Sequence, residues 1–391
     1  MLQAKIFELM HKYKKADSNC VVLIACWMKP RVAKIGYAIR QKGYRVILFL
    51  EQQNSKEINK FNYKFYDDIY IFQSEEDIYC NCLKLKPLVY HLFTEANVSG
   101  WAEYLISRKD NLGKIVYDQY DVYRGLSRIH NRSIQKREKY CFENADGICC
   151  RSFETQYLKY RFHYHFNGKR ILFLDYCWNK YTFARKAKKT DEGLQIVYGG
   201  RIVPPYSQDI LGRTEWEALC FIAESLKRKK GCLTVIPLEL NETHEDFVKL
   251  AEKNPFFKLK KPMKFQALIK YESNMDYGID CLEFQNKMDE YEKIFAGTTD
   301  YRAKAKYYAT NKFFDYIDAG IPILYGKKNE MFGRCFARYG AAIPCAVEDM
   351  PDMLDELKAN RDQYAENVKV ARETLSIEKQ INRLIEFYKS L

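Results

Sequence analysis

The residues best suited to hold a ligand lie at the start of a short predicted helix. Lys312 and Asp315 begin this helix, which ends at Gly320, and Pro322 then introduces the extended run Ile323–Tyr325. In α/β proteins, a cation and a carboxylate at a helix start beside a parallel strand are typical of a site for a phosphorylated ribose. An ordinary helix–turn–strand unit would show the same local pattern, so both interpretations stay open at this point.

The cysteines and histidines do not form a recognisable metal site. The chain contains 13 cysteines and six histidines but no Cys-x-x-Cys pair. Cys80 and Cys82 are separated by one residue, and Cys149 and Cys150 are adjacent. Because nothing in the sequence indicates secretion, we expect reduced thiols that behave as small buried hydrophobic residues. The sequence therefore predicts no metal ligands.

The net charge of +13 is unevenly distributed along the chain. Residues 1–190 hold 34 Lys and Arg against 19 Asp and Glu, whereas the remaining residues hold 30 against 32. A basic first half indicates an anionic partner such as a membrane surface, a phosphorylated lipid or a nucleic acid. Charge that only keeps the protein in solution is the alternative explanation.

The elements that must position these residues alternate between strands and helices in two successive halves. The predicted strands of the first half are 19–25, 46–50, 68–72, 88–93, 114–117, 147–150 and 170–174. Those of the second half are 195–198, 232–236, 256–259, 277–279, 323–325 and 341–345. A polar linker at 178–193 separates the halves. This pattern predicts two doubly wound α/β sheets. Ligands bind beyond the carboxyl ends of such strands, so we expect both domains to face a central cleft.

Targeting signals are missing from the sequence. No run reaches the roughly eighteen apolar residues that a transmembrane helix requires. Residues 1–15 form a charged amphipathic helix pattern without a cleavage site, which is unlike a signal peptide. We therefore expect a cytoplasmic protein.

Four motifs, at residues 143–148, 197–201, 274–279 and 311–322, follow one another along the chain. Their sequences and their order resemble those of GT-B glycosyltransferases, in particular the bacterial group that includes family 4. Residues 311–322 resemble the Asn-Lys-x-x-Glu-Tyr-x-x-x-Gly-x-Pro signature of the nucleotide-binding lobe. Residues 197–201, Val-Tyr-Gly-Gly-Arg, resemble the strand and glycine turn that open that lobe. Residues 143–148 with Arg151-Ser152 resemble a late strand of the first lobe, and residues 274–279 resemble the strand that precedes the signature.

Two positions depart from the signature. The carboxylate that is usually Glu is Asp315, and the second Glu that often stands eight residues earlier is replaced by Tyr307. The resemblance therefore leaves open whether the reaction retains or inverts the configuration of the sugar.

The resemblance implies a donor site for a nucleotide-sugar, most simply a UDP-sugar, in the second domain. The implied donor and phosphate-binding residues are Gly199, Gly200, Arg201, Asn311, Lys312, Asp315 and Tyr316. Pro262 and Met263 would meet the nucleotide base. Cations and backbone N–H groups would stabilise the leaving diphosphate, so no metal and no cofactor are expected.

The resemblance also implies that the first domain supplies a carboxylate that receives the acceptor proton or stabilises the sugar. Asp121 and Asp118 follow the predicted strand 114–117, and Glu95 follows the strand at 88–93. Asp121 is the preferred candidate, ahead of Asp118 and Glu95. Each aspartate could instead cap the turn or pair with Arg124.

The expected domains are an acceptor-side Rossmann-like domain at 1–180, a nucleotide-sugar-binding Rossmann-like domain at 194–365 and a C-terminal helix at 366–391 that packs back toward the first domain. The expected activity is metal-independent transfer of a hexosyl group to a glycan or lipid-linked acceptor in surface polysaccharide synthesis. We expect the basic N-terminal domain to bind the inner face of a membrane, where this reaction would take place. A GT-B-fold sugar-nucleotide epimerase, a basic nucleic-acid-binding protein and a non-catalytic partner subunit are the alternatives.

Overall fold

The computed structural model describes residues 17–52, 65–95, 100–124, 131–183, 193–202, 210–280, 284–295 and 301–391. The predicted helix in the first fifteen residues and most of the predicted linker lie outside these ranges. The chain divides into two compact units. Unit 1 runs to Asp175 and also contains Ile377–Leu391, and unit 2 is Tyr176–Ser376. None of the helices in the described ranges combines the length and the apolar character that spanning a bilayer requires.

Unit 1 is built on a seven-stranded parallel sheet with the strand order β3-β2-β1-β4-β5-β6-β7. Its strands are β1 (Asp17–Ala25), β2 (Arg45–Glu51), β3 (Asp68–Phe72), β4 (Pro87–Thr94), β5 (Ile115–Gln119), β6 (Gly147–Cys150) and β7 (Lys169–Leu172). The central strand β1 is buried from Cys20 to Ala25. Its uninterrupted apolar run is what a parallel strand requires when both faces of the sheet are covered.

Within the described residues, six helices connect these strands. They are α1 (Pro30–Gln41), α2 (Glu75–Cys82), α3 (Gly100–Ile106), α4 (Lys109–Leu112), α5 (Arg132–Asn144) and α6 (Glu154–Phe162). Pro30 occupies the first turn of α1, where its missing N–H costs nothing. The side chain of Asn131 accepts hydrogen bonds from the N–H groups of Ser133 and Ile134 and so caps α5.

Unit 2 is built on a six-stranded parallel sheet with the order β10-β9-β8-β11-β12-β13. Its strands are β8 (Gln195–Gly200), β9 (Cys232–Pro237), β10 (Phe257–Leu259), β11 (Tyr277–Asp280), β12 (Ile323–Gly326) and β13 (Ala342–Cys345). The expectation of two doubly wound parallel sheets is confirmed.

The helices of unit 2 are α7 (Ile210–Lys227), α8 (Glu245–Lys253), α9 (Phe265–Glu272), α10 (Met288–Phe295), α11 (Tyr301–Tyr307), α12 (Lys312–Ala319), α13 (Glu330–Phe336), α14 (Met350–Ala359) and α15 (Arg361–Leu375). Helix α12 ends at Gly320 with φ of +77°, the left-handed conformation predicted from the sequence. The chain then returns to unit 1 with α16 (Ile377–Ser390), whose residues Ile381, Leu384 and Tyr388 are buried.

Most strand boundaries differ from the predicted ones by one or two residues, and two of these differences affect candidate residues. Strand β5 continues to Gln119, so Asp118 lies inside the strand and not in the loop after it. Strand β8 continues to Gly200 because it stays paired with β9 as far as Pro237, so the two glycines are strand residues rather than a turn. Helices α2, α10, α11, α13 and α15 were not predicted.

Candidate active site

The carboxyl end of β8 is a glycine edge against which the side chain of Lys312 packs. Gly200 has φ of +156°, a conformation that other residues rarely adopt. A Cβ atom on Gly200 would collide with Cε of Lys312, and a Cβ atom on Gly199 would crowd the carboxylate of Glu272. The two glycines therefore let the side chains of Lys312 from α12 and Glu272 from α9 lie directly against the strand backbone, and a larger residue at either position would displace them.

Lys312 is held in place at the first residue of α12. Its Nζ lies 2.9 Å from the hydroxyl oxygen of Tyr198 and 3.4 Å from Oδ1 of Asp280, and it lies 4.0 Å from the centre of the Tyr198 ring. Burial alone would lower the pKa of Lys312, but Asp280 and Glu215 raise it above its usual value. The side chain keeps 22% exposure, so a permanently charged ammonium group is accessible at this edge.

Tyr316 lies in the interior, which differs from its predicted role as a donor-binding residue. It is 0% exposed, and its ring lies so close to Gly278 that a Cβ atom there would collide with it. Its hydroxyl oxygen accepts a hydrogen bond from the N–H of Gly199 at 3.1 Å and lies 3.2 Å from the carbonyl oxygen of Ile279. Tyr316 thus joins β8 to β11 from α12, and the N–H of Gly199 is already engaged.

Asp315 and Asn311 lie half-buried at the start of α12. The carbonyl oxygen of Asn311 accepts hydrogen bonds from the N–H groups of Phe314 and Asp315, at 2.9 and 3.1 Å. The side-chain Oδ1 of Asn311 is buried and has no hydrogen-bond partner in the described part of the chain. This side chain is therefore a candidate to bind a ligand hydroxyl.

A buried carboxyl group next to this site was not anticipated. Glu272 is 1% exposed, and its Oε2 has no hydrogen-bond partner among the described residues. Burial raises the pKa of Glu272 far above its usual value, and the charges of Asp315 and Asp318 raise it further. Glu272 stands in an ordinary helical pattern, so nothing in the sequence indicates this environment.

The other predicted donor residues lie in the loops at the same edge of the sheet. Arg201 is exposed directly after β8, and the hydroxyl oxygen of Tyr198 lies 2.8 Å from its carbonyl oxygen. Pro262 is exposed and Met263 is half-buried in the loop after β10. Strand β10 is separated from β8 by β9, so this loop is two strands away from the glycine edge.

In unit 1, Asp118 belongs to a closed network of ion pairs. Its Oδ2 accepts hydrogen bonds from Nε and Nη2 of Arg31 at 2.9 and 2.7 Å. Nη1 of Arg31 reaches Oδ1 of Asp175 at 2.9 Å, and the Asp175 carboxylate also pairs with Arg151 at 3.2 Å. Burial alone would raise the pKa of Asp118, but Arg31 and His91 lower it below its usual value. With 1% exposure, Asp118 is placed as a structural anion.

His91 extends this network to the C-terminal helix. Its Nε2 lies 3.3 Å from Oδ2 of Asp118, and its Nδ1 lies 2.6 Å from the hydroxyl oxygen of Tyr388. Nδ1 therefore shares a hydrogen bond with Tyr388, whereas Nε2 faces the Asp118 carboxylate without forming a hydrogen bond in the described part of the chain. His91 is fully buried.

The close approach of His91, Asp118 and Cys149 was tested as a possible metal site. Nη2 of Arg31 lies 3.3 Å from Sγ of Cys149 and 2.7 Å from Oδ2 of Asp118, so a guanidinium group already neutralises the cluster. Burial raises the pKa of the Cys149 thiol far above its usual value, which keeps it protonated. This donor set does not suit a metal ion, because thiol ligands bind metals as thiolates.

Glu95 lines a cavity at the carboxyl ends of β1, β4 and β5. It forms an ion pair with Lys29 at 3.4 Å, and the cavity walls also include Trp27 and Tyr120. Burial raises the pKa of Glu95, and the nearby charge of Asp121 adds to this effect, while Lys29 opposes it. Glu95 is therefore a carboxyl group with raised proton affinity beside an open space, which is the environment of many catalytic acids and bases.

Asp121 lies near Glu95 but in a more polar environment. It pairs with Nη1 of Arg151 at 3.1 Å, and its side chain is 43% exposed. Arg151 also contacts the ring of Tyr120, with 4.0 Å between the guanidinium carbon and the ring centre. Sequence reasoning noted Arg151 only as part of a motif and did not single out Lys29 or Tyr120. Their positions directly after strands β1, β5 and β6 could have suggested them.

The structure resembles solved structures, although no protein-family model matches the sequence and no curated protein matches it significantly. UDP-GlcNAc 2-epimerase from Neisseria meningitidis, bound to UDP-GlcNAc, is 10% identical, with 95% of this chain and 100% of that chain covered and a TM-score of 0.55. WaaG, a glycosyltransferase involved in lipopolysaccharide biosynthesis, is 12% identical, with 95% and 100% covered and a TM-score of 0.53.

TarM is 13% identical, with 76% of this chain covered and a TM-score of 0.50, and this chain spans 54% of the length of TarM. At such low identity these similarities concern the fold. They confirm the fold expected from the sequence motifs. The protein therefore has the GT-B fold, which it shares with glycosyltransferases and with UDP-GlcNAc 2-epimerases.

Proposed function

We propose that this protein is a glycosyltransferase that transfers a hexosyl group from a nucleotide-diphosphate sugar without a metal ion. The observation that carries this proposal is the accessible, charged Lys312 packed against the backbone of Gly200 at the carboxyl end of a parallel strand. The leaving diphosphate gains negative charge in the transition state, and a cation that is already in place lowers the barrier without reorganisation.

The remaining donor residues receive roles from their positions. Arg201 is exposed next to Gly200 and would contact the same diphosphate. Asp315 and the unpartnered Oδ1 of Asn311 would accept hydrogen bonds from ribose hydroxyls. The loop with Pro262 and Met263 would meet the base. UDP-sugars are the first donors to test, because one protein of this fold is bound to UDP-GlcNAc.

The experiment is calorimetric titration with a panel of nucleotides and nucleotide-sugars. We expect one of them to bind, and we expect Lys312→Ala to weaken that binding by about tenfold to a hundredfold, the value of a charge-assisted hydrogen bond. Lys229→Ala is the matched control, since Lys229 is exposed and pairs with the exposed carboxylate of Asp355. Failure of every nucleotide to bind, together with no donor hydrolysis, would exclude the proposal.

On unit 1 we propose that Glu95 receives the proton of the acceptor hydroxyl, with Asp121 as the alternative. Both Glu95 and Asp118 line the cavity, but the pKa of Glu95 is raised, whereas Arg31 pairs with Asp118 and holds its pKa below the usual value. Glu95→Gln should lower kcat by about 10²–10⁴-fold and leave nucleotide affinity unchanged. Asp121→Asn should have a smaller effect, because Arg151 already neutralises it. A larger loss of kcat in Asp121→Asn than in Glu95→Gln would assign the role of proton acceptor to Asp121.

The proposed acceptor is a glycan or a lipid-linked glycan in surface polysaccharide synthesis, with the protein bound peripherally at the cytoplasmic face of a membrane. The basic first half supports this part, but the surface is smaller than the sequence suggested. Arg31 and Lys34 are buried, while Arg132 and Lys136 are exposed. Sedimentation with anionic and neutral vesicles tests it, and equal binding to both would count against a membrane partner. Salt-dependent binding to RNA or DNA would instead support the nucleic-acid alternative.

A sugar-nucleotide epimerase is the second candidate, because a UDP-GlcNAc 2-epimerase shares the fold over 95% of the chain. Epimerisation needs only the donor. Incubation of the protein with the bound nucleotide-sugar and no acceptor therefore separates the two activities. An epimeric nucleotide-sugar would establish the epimerase, and an unchanged donor that is consumed when acceptor is added would establish the transferase. A protein that binds donor but does neither would be a non-catalytic partner.

A further inference from the structure

A buried histidine connects the two loops that follow β8 and β9. His244 is 3% exposed and stands in a short turn just before α8. The N–H of Asn241 donates a hydrogen bond to Nδ1 of His244 at 3.2 Å, and Nε2 lies 3.3 Å from the carbonyl oxygen of Ile202. Because Nδ1 accepts a hydrogen bond, the proton of the neutral ring is on Nε2, which donates to Ile202.

This hydrogen bond is the last of three that fix the chain at the glycine edge. The carbonyl oxygen of Gly200 accepts from the N–H of Leu238 at 3.1 Å. The hydroxyl of Tyr198 lies 2.8 Å from the carbonyl oxygen of Arg201, and His244 reaches the carbonyl oxygen of Ile202. Three successive carbonyl groups are thus tied to the body of unit 2.

The orientation of these carbonyls decides the orientation of the neighbouring N–H groups. In a planar trans peptide, the N–H of one residue points away from the carbonyl of the preceding residue. Anchoring the carbonyls of Gly200 and Arg201 therefore turns the N–H groups of Arg201 and Ile202 to the opposite side. The hydrogen bond of His244 to the carbonyl of Ile202 fixes the backbone on the far side of these two N–H groups, so the segment cannot rotate at its outer end. Successive N–H groups that point outward at a strand end can bind an anion such as a diphosphate.

We infer that His244 is a positioning residue that holds this segment ready for the diphosphate. The inference rests on the proposed function, since it concerns the same donor site. It assigns to His244 no contact with the donor: the side chain acts through Ile202. His244 holds the segment through its two hydrogen bonds and not through its charge.

The test compares UDP affinity, measured by calorimetry, in three proteins. His244→Gln keeps an acceptor for the N–H of Asn241 and a donor for Ile202, as glutamine does at this position of a capping box. It should bind UDP within about threefold of wild type. His244→Leu keeps the volume but loses both hydrogen bonds, and it should bind UDP about tenfold more weakly. Equal affinities in wild type and the leucine variant would overturn the inference.

Asn254→Leu is the matched control for lost stability. Asn254 is also buried, and it lies at the other end of α8, where its side chain accepts from the N–H of Phe256 at 3.0 Å. This variant should melt earlier but bind UDP as wild type does. If it loses affinity as His244→Leu does, the effect is one of general stability and His244 does not position the turn.

Nitrogen NMR of the wild-type protein gives a measurement that does not depend on a folded variant. With histidine labelled by ¹⁵N, the ring of His244 should show a protonated Nε2 and an unprotonated Nδ1, and both signals should shift on addition of UDP. The opposite tautomer would overturn the inference. If the wild-type protein binds no nucleotide, the proposed function itself is wrong. If wild type and His244→Leu bind UDP equally well and Lys312→Ala does not bind it, only the role of His244 is wrong.

Discussion

Two buried carboxyl groups at corresponding depths of the two units respond to their surroundings in opposite ways. Asp118 in unit 1 and Glu272 in unit 2 are each 1% exposed. The pKa of Asp118 is lowered because Arg31 outweighs the effect of burial. The pKa of Glu272 is raised because burial acts together with Asp315 and Asp318. Burial alone therefore does not decide the charge of a buried carboxyl group; the sign of its nearest neighbours does.

The difference separates a charge that stabilises the fold from a group that can respond to its environment. The Asp118 network is closed, since Arg31 and Arg151 neutralise its carboxylates. Glu272 is kept neutral by a proton and lies beside the backbone of Gly199. We therefore expect the edge of unit 1 to be rigid and the edge of unit 2 to depend on pH.

The largest expected effect on stability follows from removing Arg31 from the closed network. Arg31→Met leaves Asp118 and Asp175 buried without their counter-charge, and the free energy of unfolding should fall by about 3–5 kcal/mol. Urea unfolding measures this change. Arg40→Met is the control, because Arg40 pairs with Asp67 at the surface and should contribute less than about 1 kcal/mol. Similar losses in both variants would show that the buried network has no special weight.

The pH dependence of stability tests the opposite environment of Glu272. Folded Glu272 binds its proton more tightly than the unfolded chain does, so its contribution is complete below the ordinary pKa of 4.5 and is lost as pH rises through the folded value. Relative to Glu272→Gln, wild type should lose about 1.4 kcal/mol per pH unit between the ordinary pKa and the folded pKa, and no more above the folded pKa. Asp118 should act in the opposite direction and lose its contribution only in acid.

Urea unfolding between pH 5 and 8 measures the Glu272 effect. Asp355→Asn removes an exposed carboxylate and should keep the pH dependence of wild type. Parallel curves for wild type and Glu272→Gln would mean that Glu272 is ionised in the folded protein.

A third variant tests whether the edge of unit 2 is shaped for binding. Gly200→Ala introduces a Cβ atom that pushes Cε of Lys312 aside, so nucleotide affinity should fall by about tenfold. Gly43→Ala is the control: its φ of +83° is also unfavourable for alanine, but no atom lies within 4 Å of the added Cβ. It should cost about 1–2 kcal/mol of stability and leave affinity unchanged. An unchanged affinity in Gly200→Ala would separate Lys312 from the nucleotide site.

The smallest expected effect concerns the outer end of the closed network. Tyr388→Phe removes the hydroxyl that shares a hydrogen bond with Nδ1 of His91 and should lower the free energy of unfolding by about 1 kcal/mol. Tyr160→Phe, at a tyrosine that is 74% exposed, should change it by less than about 0.5 kcal/mol. If the two variants lose equal stability, the contact of Tyr388 with His91 adds nothing to the network.

The sequence predicted the fold because its evidence is periodic and repeated. Apolar runs such as that of β1, and the glycine that ends α12, each report a local backbone requirement. Lys312 was found for the same reason, since its position in the signature fixes its place at a helix start. The donor roles of these residues stay predictions.

The tertiary environment of polar residues could not be predicted in the same way. Asp118 looked like a loop residue because the sequence does not show that Arg31, 87 positions earlier, neutralises it inside the strand. Tyr316 matched a motif, but only the packing of its ring on Gly278 reveals that it is interior. Glu272 and His244 depend on neighbours from other strands and helices, for which a single sequence carries no local signal.

The return of α16 to unit 1 has a consequence for synthesis of the protein. Tyr388 follows its partner His91 by 297 residues, and the whole of unit 2 is made between the body of unit 1 and this helix. At about 5–20 residues per second, a ribosome needs roughly 10–40 s to synthesise unit 2. During that interval the nascent unit 1 exposes the surface that α16 later covers, so this surface is where a chaperone would act on the growing chain.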